Sequence, residues 1–189
     1  MPDGATVAIV GGGPAGSFLA IHLLRLARTR QRDLRVVIFE RRRPPPQDEL
    51  GSVSGPYKGC PRCAGGVSPR LSDALAALDI HIPDKVRQMR IRSIAVQGHW
   101  KPIYLQVPED RQMLSVYRGS LPVEHGRRHG AFDAVLLDAA SRRGARLVGR
   151  RVTHVYYDHQ RRPVVRHEAD DGEAELTAHF VAIAGGVNE

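Results

Sequence analysis

One short stretch constrains this chain more than any other. Gly11, Gly13 and Gly16 form a G-x-G-x-x-G between an apolar, β-rich run and a helical pattern. Thr6 to Val10 reads as a buried parallel strand that ends at Gly11. Pro14 stands where a helix would begin, since proline suits the first helical position. Phe18, Leu19, Leu23 and Leu26 then recur at helical spacing up to residue 28, and Arg25 and Arg28 complement the dipole at the helix end. Arg35 to Glu40 reads as a second buried strand. Strand, helix and strand within about forty residues make a βαβ unit, whose crossover is right-handed.

Each glycine of the loop has a separate task. Gly11 permits the tight turn, Gly13 lets the backbone approach a pyrophosphate, and Gly16 lets the helix pack close to the strand. The helix N-terminus adds N–H groups and about half a positive charge. The backbone from Gly11 through Gly12, Gly13, Pro14 and Ala15 to Gly16 is therefore the expected diphosphate cradle. Glu40 closes the next strand 24 residues past Gly16, where its carboxylate would accept hydrogen bonds from ribose hydroxyls. The same charge disfavours a 2′-phosphate, and with it NADP in this site.

Further along, residues 41–70 look irregular, with Pro44, Pro45, Pro46 and several glycines; loops of that length are usually functional. Leu71 to Leu78 suggests a short helix. Ile91 to Val96 and Ile103 to Val107 read as a strand pair with Gly98 near the turn, and Met113 to Tyr117 as another strand. Phe132 to Arg143 reads as a helix ended by Gly144. Residues 145–184 look like several strands with a turn near Asp170, Asp171 and Gly172, the last being His179 to Ala184, which runs into Gly185 and Gly186. No internal repeat is evident.

The net charge of +8 comes almost wholly from arginine, in pairs and triplets such as Arg41 to Arg43, Arg150 with Arg151, and Arg161 with Arg162. They are not interleaved with aromatics, as a stacking platform for single strands requires, and no RRM, KH or zinc-finger signature occurs. A solvated basic surface is the simpler reading, and no nucleic-acid partner is expected. Two cysteines are too few for a disulfide-stapled scaffold. No apolar run reaches the length of a membrane helix, and the N-terminus lacks a basic n-region, so a cytoplasmic location with at most peripheral membrane contact is expected. Cys60-Pro-Arg-Cys63 is a C-x-x-C with no second pair, so no metal site is expected; a redox dithiol and inert loop cysteines both remain open. Arg118 suits a pyrophosphate or a plain surface position equally. The nine histidines show no catalytic spacing, and no catalytic residue is assigned.

Taken together, residues 7–17 (VAIVGGGPAGS) and Phe39-Glu40-Arg41 resemble the N-terminus of flavoprotein reductases and hydroxylases, and most of all the geranylgeranyl reductase family. Cys63-Ala-Gly-Gly-Val67 is similar to that family's Cys-Gly-Gly segment. Tyr117-Arg118-Gly119, with Phe132-Asp133 and Leu136, is similar to its Arg…Phe-Asp…Leu motif. Gly144-Ala145 begins the strand expected next, and Ala184-Gly-Gly-Val-Asn188 is similar to the segment that closes the FAD-binding half, with Gly185 in place of the usual Asp and Glu189 in place of the usual Ser.

The resemblance implies an α/β fold: a Rossmann-like FAD/NAD(P)-binding three-layer domain with a parallel sheet and an antiparallel β-meander, incomplete at the C-terminus. It would span residues 1–189, with the βαβ unit at 5–40, the loop at 41–70, part of a substrate-side insertion at about 80–120 and the remaining Rossmann elements at 130–189. The implied cofactor is FAD. Glu40 would hold its ribose, Arg41 would flank the adenosine, and the Val152 backbone would lie near the adenine. Arg118 would lie near the cofactor, Cys63 with Gly65 and Gly66 would face the flavin ring, and Ala184 and Gly186 belong to the closing segment. The implied reaction is saturation of an alkene in a small isoprenoid-like or lipid substrate, with electrons from NAD(P)H or ferredoxin. A flavin-dependent aromatic monooxygenase shares the same front half and is the alternative, as is a non-catalytic nucleotide-binding module. Family members continue beyond this length, so the chain reads as a fragment or truncated product, expected to bind FAD weakly and not to turn over.

Overall fold

A computed structural model describes residues 2–41, 65–118 and 131–186. In chain order its elements are β1 (Ala5–Val10), α1 (Pro14–Thr29), β2 (Leu34–Phe39), β3 (Gly66–Val67) and α2 (Pro69–Ala77). Then come β4 (Arg87–Ile91), β5 (Ser93–Gln97), β6 (Pro102–Gln106), β7 (Met113–Val116) and α3 (Phe132–Arg142). The last are β8 (Arg146–Val148), β9 (Val152–Tyr157), β10 (Pro163–Ala169), β11 (Gly172–Thr177) and β12 (Phe180–Ile183). They form two compact units, one made of residues 1–57 with 133–189, the other of residues 58–132.

The first unit is built on a four-stranded parallel sheet in the order β12-β1-β2-β8. β1 and β2 pair in register from Ala5 opposite Leu34 to Val10 opposite Phe39. Both strands are apolar nearly throughout because both faces are covered. On one face Ala8, Val37 and Phe39 pack against Val165 and Ala178 of the antiparallel meander β11-β10-β9 and its exit. Successive side chains alternate across a strand, so Ile9 points to the other face, where it meets the start of α1 at Gly16. Helix, sheet and meander thus make three layers. Sequence and structure agree on α3, which ends just before Gly144; that glycine has φ +108°, a left-handed conformation that other residues adopt at a cost.

The outer face of the meander carries a polar cluster. The Tyr156 hydroxyl donates to Glu175 Oε1 at 2.6 Å, and Arg166 Nε donates to the same oxygen at 2.9 Å while lying over the Tyr156 ring. These two bonds, Tyr156 first, hold the Glu175 carboxyl below its ordinary range, and the carboxylate in turn raises the tyrosine.

In the second unit β3, β7 and β4 form an antiparallel sheet, and β5 and β6 form a separate two-stranded ribbon. α2 is capped by Ser68, whose hydroxyl accepts from the Leu71 N–H at 3.3 Å. The strand expected over Ile91 to Val96 is corrected here. The chain changes sheet at Arg92: Arg87–Ile91 pairs with β7, and Ser93–Gln97 pairs with β6. Of the region expected to be irregular, Gly66–Val67 is strand and α2 begins at Pro69, while residues 42–64 lie outside the described residues. No described helix is long and apolar enough to cross a membrane.

Candidate functional site

The glycine loop sits where β1 hands over to α1, and its neighbours dictate three of its four glycines. The Gly11 N–H donates to Phe39 O at 2.8 Å, which turns the chain sharply at φ +111°. A Cβ on Gly11 would lie 2.4 Å from the carbonyl oxygen of Ala184. On Gly12 it would lie 3.0 Å from both Cβ and Oε2 of Glu40, and on Gly16 2.0 Å from Gly11 O and 3.1 Å from Ile9 Cγ2. Gly13 differs: apart from its own chain neighbours, no described residue comes within 4 Å of where its Cβ would be. This open glycine is the N-cap of α1, which has Pro14 in its first turn, no acidic residue there and no side-chain cap among the described residues. The positive end of the helix dipole therefore faces an open space, an arrangement that suits an anion.

Glu40 is 8% exposed, and its Oε2 accepts the buried Gly12 N–H at 2.8 Å. Its own N–H donates to Val148 O at 2.9 Å, fixing the residue just past β2. Glu40 thus anchors the loop. A carboxylate has about four lone-pair sites, so the anchor leaves it able to accept from a sugar hydroxyl as well. Ser17, which carried no role in the sequence reading, is fully buried; its hydroxyl donates to Gly12 O at 3.0 Å, and its N–H to Gly13 O at 2.9 Å. The buried face of α1 runs through Ser17, Ala20, Ile21 and Leu24 rather than the Phe18, Leu19, Leu23 and Leu26 stripe expected from the sequence, whose larger side chains masked the weaker pattern three, four and seven residues after Ser17. Ser17→Ala is expected to lower stability by about 1 kcal/mol, the usual worth of one intramolecular hydrogen bond, as measured by urea unfolding.

Beside the loop a cleft of about 190 Å³ is lined by Val10, Gly11, Phe39, Glu40, Arg41, Arg150, Arg151 and Val152. That is below the roughly 300–1,000 Å³ of a whole ligand pocket, so the cleft can serve only as one subsite. It brings Glu40, Arg41 and Val152 together, and adds Arg150 and Arg151, which sequence reasoning had noted only as a basic pair. Arg150 also pairs with Asp170. Ala184 joins the loop from β12, its N–H donating to Val10 O at 2.7 Å, and Gly186 follows at φ +87°. Gly65, Gly66 and Arg118 belong to the second unit. There Gly65 O accepts from Val116 N at 2.8 Å, its Cβ position is closed off by Val116 O at 1.9 Å, and Gly66 pairs with Ser115. Arg118 is half-buried just past β7. Cys63 and Cys60 lie outside the described residues. Among the described residues no group of three or more His, Cys, Asp or Glu side chains is placed to hold a metal.

A family model described as FAD-NAD(P)-binding matches residues 8–50, which include the loop and Glu40. The fold is that of solved flavoenzymes. The chain is similar to p-nitrophenol 4-monooxygenase of Pseudomonas putida, at 19% identity and a TM-score of 0.63, over 100% of this chain and 42% of that one. It is similar to a flavin-dependent brominase at 20% identity and 0.60, over 97% and 38%. It is also similar to aklavinone-11 hydroxylase, solved with FAD and aklavinone, at 20% identity and 0.56, over 96% and 32%. The chain therefore spans about two-fifths or less of the length of these structures. No match is found among curated proteins. The observed architecture is accordingly the Rossmann-like FAD/NAD(P)-binding fold, present as a partial domain.

Proposed function

We propose that this chain is the FAD-binding part of a flavin-dependent oxidoreductase, and that the longer enzyme hydroxylates an aromatic small molecule with NAD(P)H as reductant. One observation carries the cofactor reading. The uncapped N-terminus of α1 opens at Gly13, the single loop glycine with free space, beside a cleft whose acid is already fixed by the loop. In this reading the amides around Gly13 and Ala15 bind the diphosphate, and Glu40 accepts from the ribose. Arg41, Arg150, Arg151 and the Val152 backbone surround the adenosine. Gly65, Gly66, Cys63 and Arg118 are assigned to the flavin end, with Ala184 and Gly186 closing the diphosphate side. The flavin supplies the redox chemistry when bound; these residues bind and orient it. The hydroxylase reading over an isoprenoid reductase draws on the solved structures that share the fold, which include a monooxygenase and a hydroxylase. The reductase reading draws on the short motifs alone.

The test is a titration of the purified chain with FAD, followed by quenching of flavin fluorescence, against FMN as control. The residues described hold the adenosine and diphosphate, which FMN lacks in whole or in part. FAD should therefore bind at least tenfold more tightly. Equal affinity for FMN and FAD, or binding of neither, removes the reading.

A further inference from the structure

A cavity of about 570 Å³ opens in the second unit, at the fork where the chain leaves the sheet β3-β7-β4 and enters the ribbon β5-β6. Two linkers wall it: Arg92, between β4 and β5, and Val107, Pro108, Glu109 and Arg111, from the stretch between β6 and β7. They are tied together, Val107 N–H donating to Arg92 O at 2.8 Å, and Arg111 N–H folds the second linker by donating to Pro108 O at 3.0 Å. Arg90 reaches across from β4, its Nη2 donating to Glu109 O at 3.2 Å and Arg111 O at 3.3 Å. The outcome is three arginines, Arg90, Arg92 and Arg111, on one cavity whose lining contains a single acid, Glu109. Among the described residues no carboxylate pairs with the Arg92 or Arg111 guanidinium.

Three like charges around one cavity repel each other, and an anion between them relieves that repulsion. Guanidinium forks match the paired oxygens of phosphates and carboxylates. Each arginine is exposed, so one contact alone contributes little, and affinity must come from several acting together. The volume lies within the range of small-molecule sites. We propose that this fork is an oxyanion-binding site, taking a small ligand by its phosphate or carboxylate group. Arg92 and Arg111 are its charged grips, and Arg90 positions the turn that carries Arg111. The assignment does not depend on the flavin reading.

Inorganic phosphate and, separately, malonate would be titrated into the full chain while the arginine Nε–H resonances are followed by NMR. At least one of the two anions should shift the Arg92 and Arg111 signals saturably. Binding should weaken at least tenfold in R92Q/R111Q and recover in part in R92K/R111K, which keeps both charges. It should be unchanged in Gly13→Asp, which blocks the glycine loop. Response to phosphate alone or malonate alone identifies the group recognised and supports the site. Shifts that do not saturate for either anion, or that saturate equally in wild type and R92Q/R111Q, overturn it; so does loss of the Arg92 and Arg111 response in Gly13→Asp.

Discussion

Gly16→Ala is expected to destabilise the first unit by about 3 kcal/mol, while Gly13→Ala changes its stability by no more than about 1 kcal/mol, although both occupy the same loop. In isolation the first change should favour the helix, since alanine exceeds glycine by roughly 1 kcal/mol in a helix interior. The tertiary contact reverses the sign. The new Cβ would stand 2.0 Å from Gly11 O, a backbone atom, and 3.1 Å from Ile9 Cγ2 in the buried strand. Neither can swing aside as the end of a flexible side chain would. Either α1 lifts from β1 or the turn at Gly11 opens, and either movement strains the Ser17 bonds to Gly12 and Gly13. At Gly13 the backbone is extended, with φ −67° and ψ −175°, and open space surrounds the Cβ position. Any residue fits there, at the modest cost of placing alanine at an N-cap. The order should invert for FAD: Gly13→Ala fills the space assigned to the diphosphate and should weaken binding at least tenfold. Urea unfolding and flavin titration on both variants provide the check. Equal stability losses would mean that Gly16 is not packed as described, and unchanged FAD affinity in Gly13→Ala would remove the phosphate from this loop.

That contrast marks how far the sequence could be read. The βαβ unit was legible because β1 and β2 are continuous apolar runs flanking the glycines and Pro14, but the face that α1 buries was not: Ala20, Ile21 and Leu24 are buried, whereas Leu26 of the expected stripe is 51% exposed. β4 was not legible. Arg87, Gln88 and Arg90 give it no apolar run, and its pairing with β7 spans a long stretch of chain. The tie between Glu40 and Gly12 was hidden for another reason: spacing places an acid after the second strand, but only the fold shows that its carboxylate turns back to hold the loop. Arg150 and Arg151 reach the cleft because β8 pairs beside β2, a crossover no local signal announces. The substrate is less legible still. Residues 7–41, proposed to grip the nucleotide, lie in a fold also found in a monooxygenase, a hydroxylase and a brominase, and a shared fold does not name a substrate; those solved structures are about two to three times as long as this chain.

Glu40 should show two separable effects. Glu40→Ala leaves the buried Gly12 N–H without its acceptor, a loss of about 1–3 kcal/mol in unfolding free energy. Glu40→Gln keeps an amide oxygen of nearly the same reach, so the loop stays anchored and most of that stability returns. What glutamine lacks is the charge that would strengthen hydrogen bonds from ribose hydroxyls, and losing a charge-assisted bond of this kind costs roughly 1.4 kcal/mol, or tenfold in affinity. Glu40→Gln should therefore unfold near the wild-type midpoint yet bind FAD about tenfold more weakly, with both measured at a temperature where each variant is fully folded. A stable Glu40→Gln with wild-type FAD affinity would confine Glu40 to the loop it anchors and take the ribose contact away. A Glu40→Ala as stable as wild type would instead mean that the Gly12 N–H is satisfied without the carboxylate, and that the anchor contributes nothing.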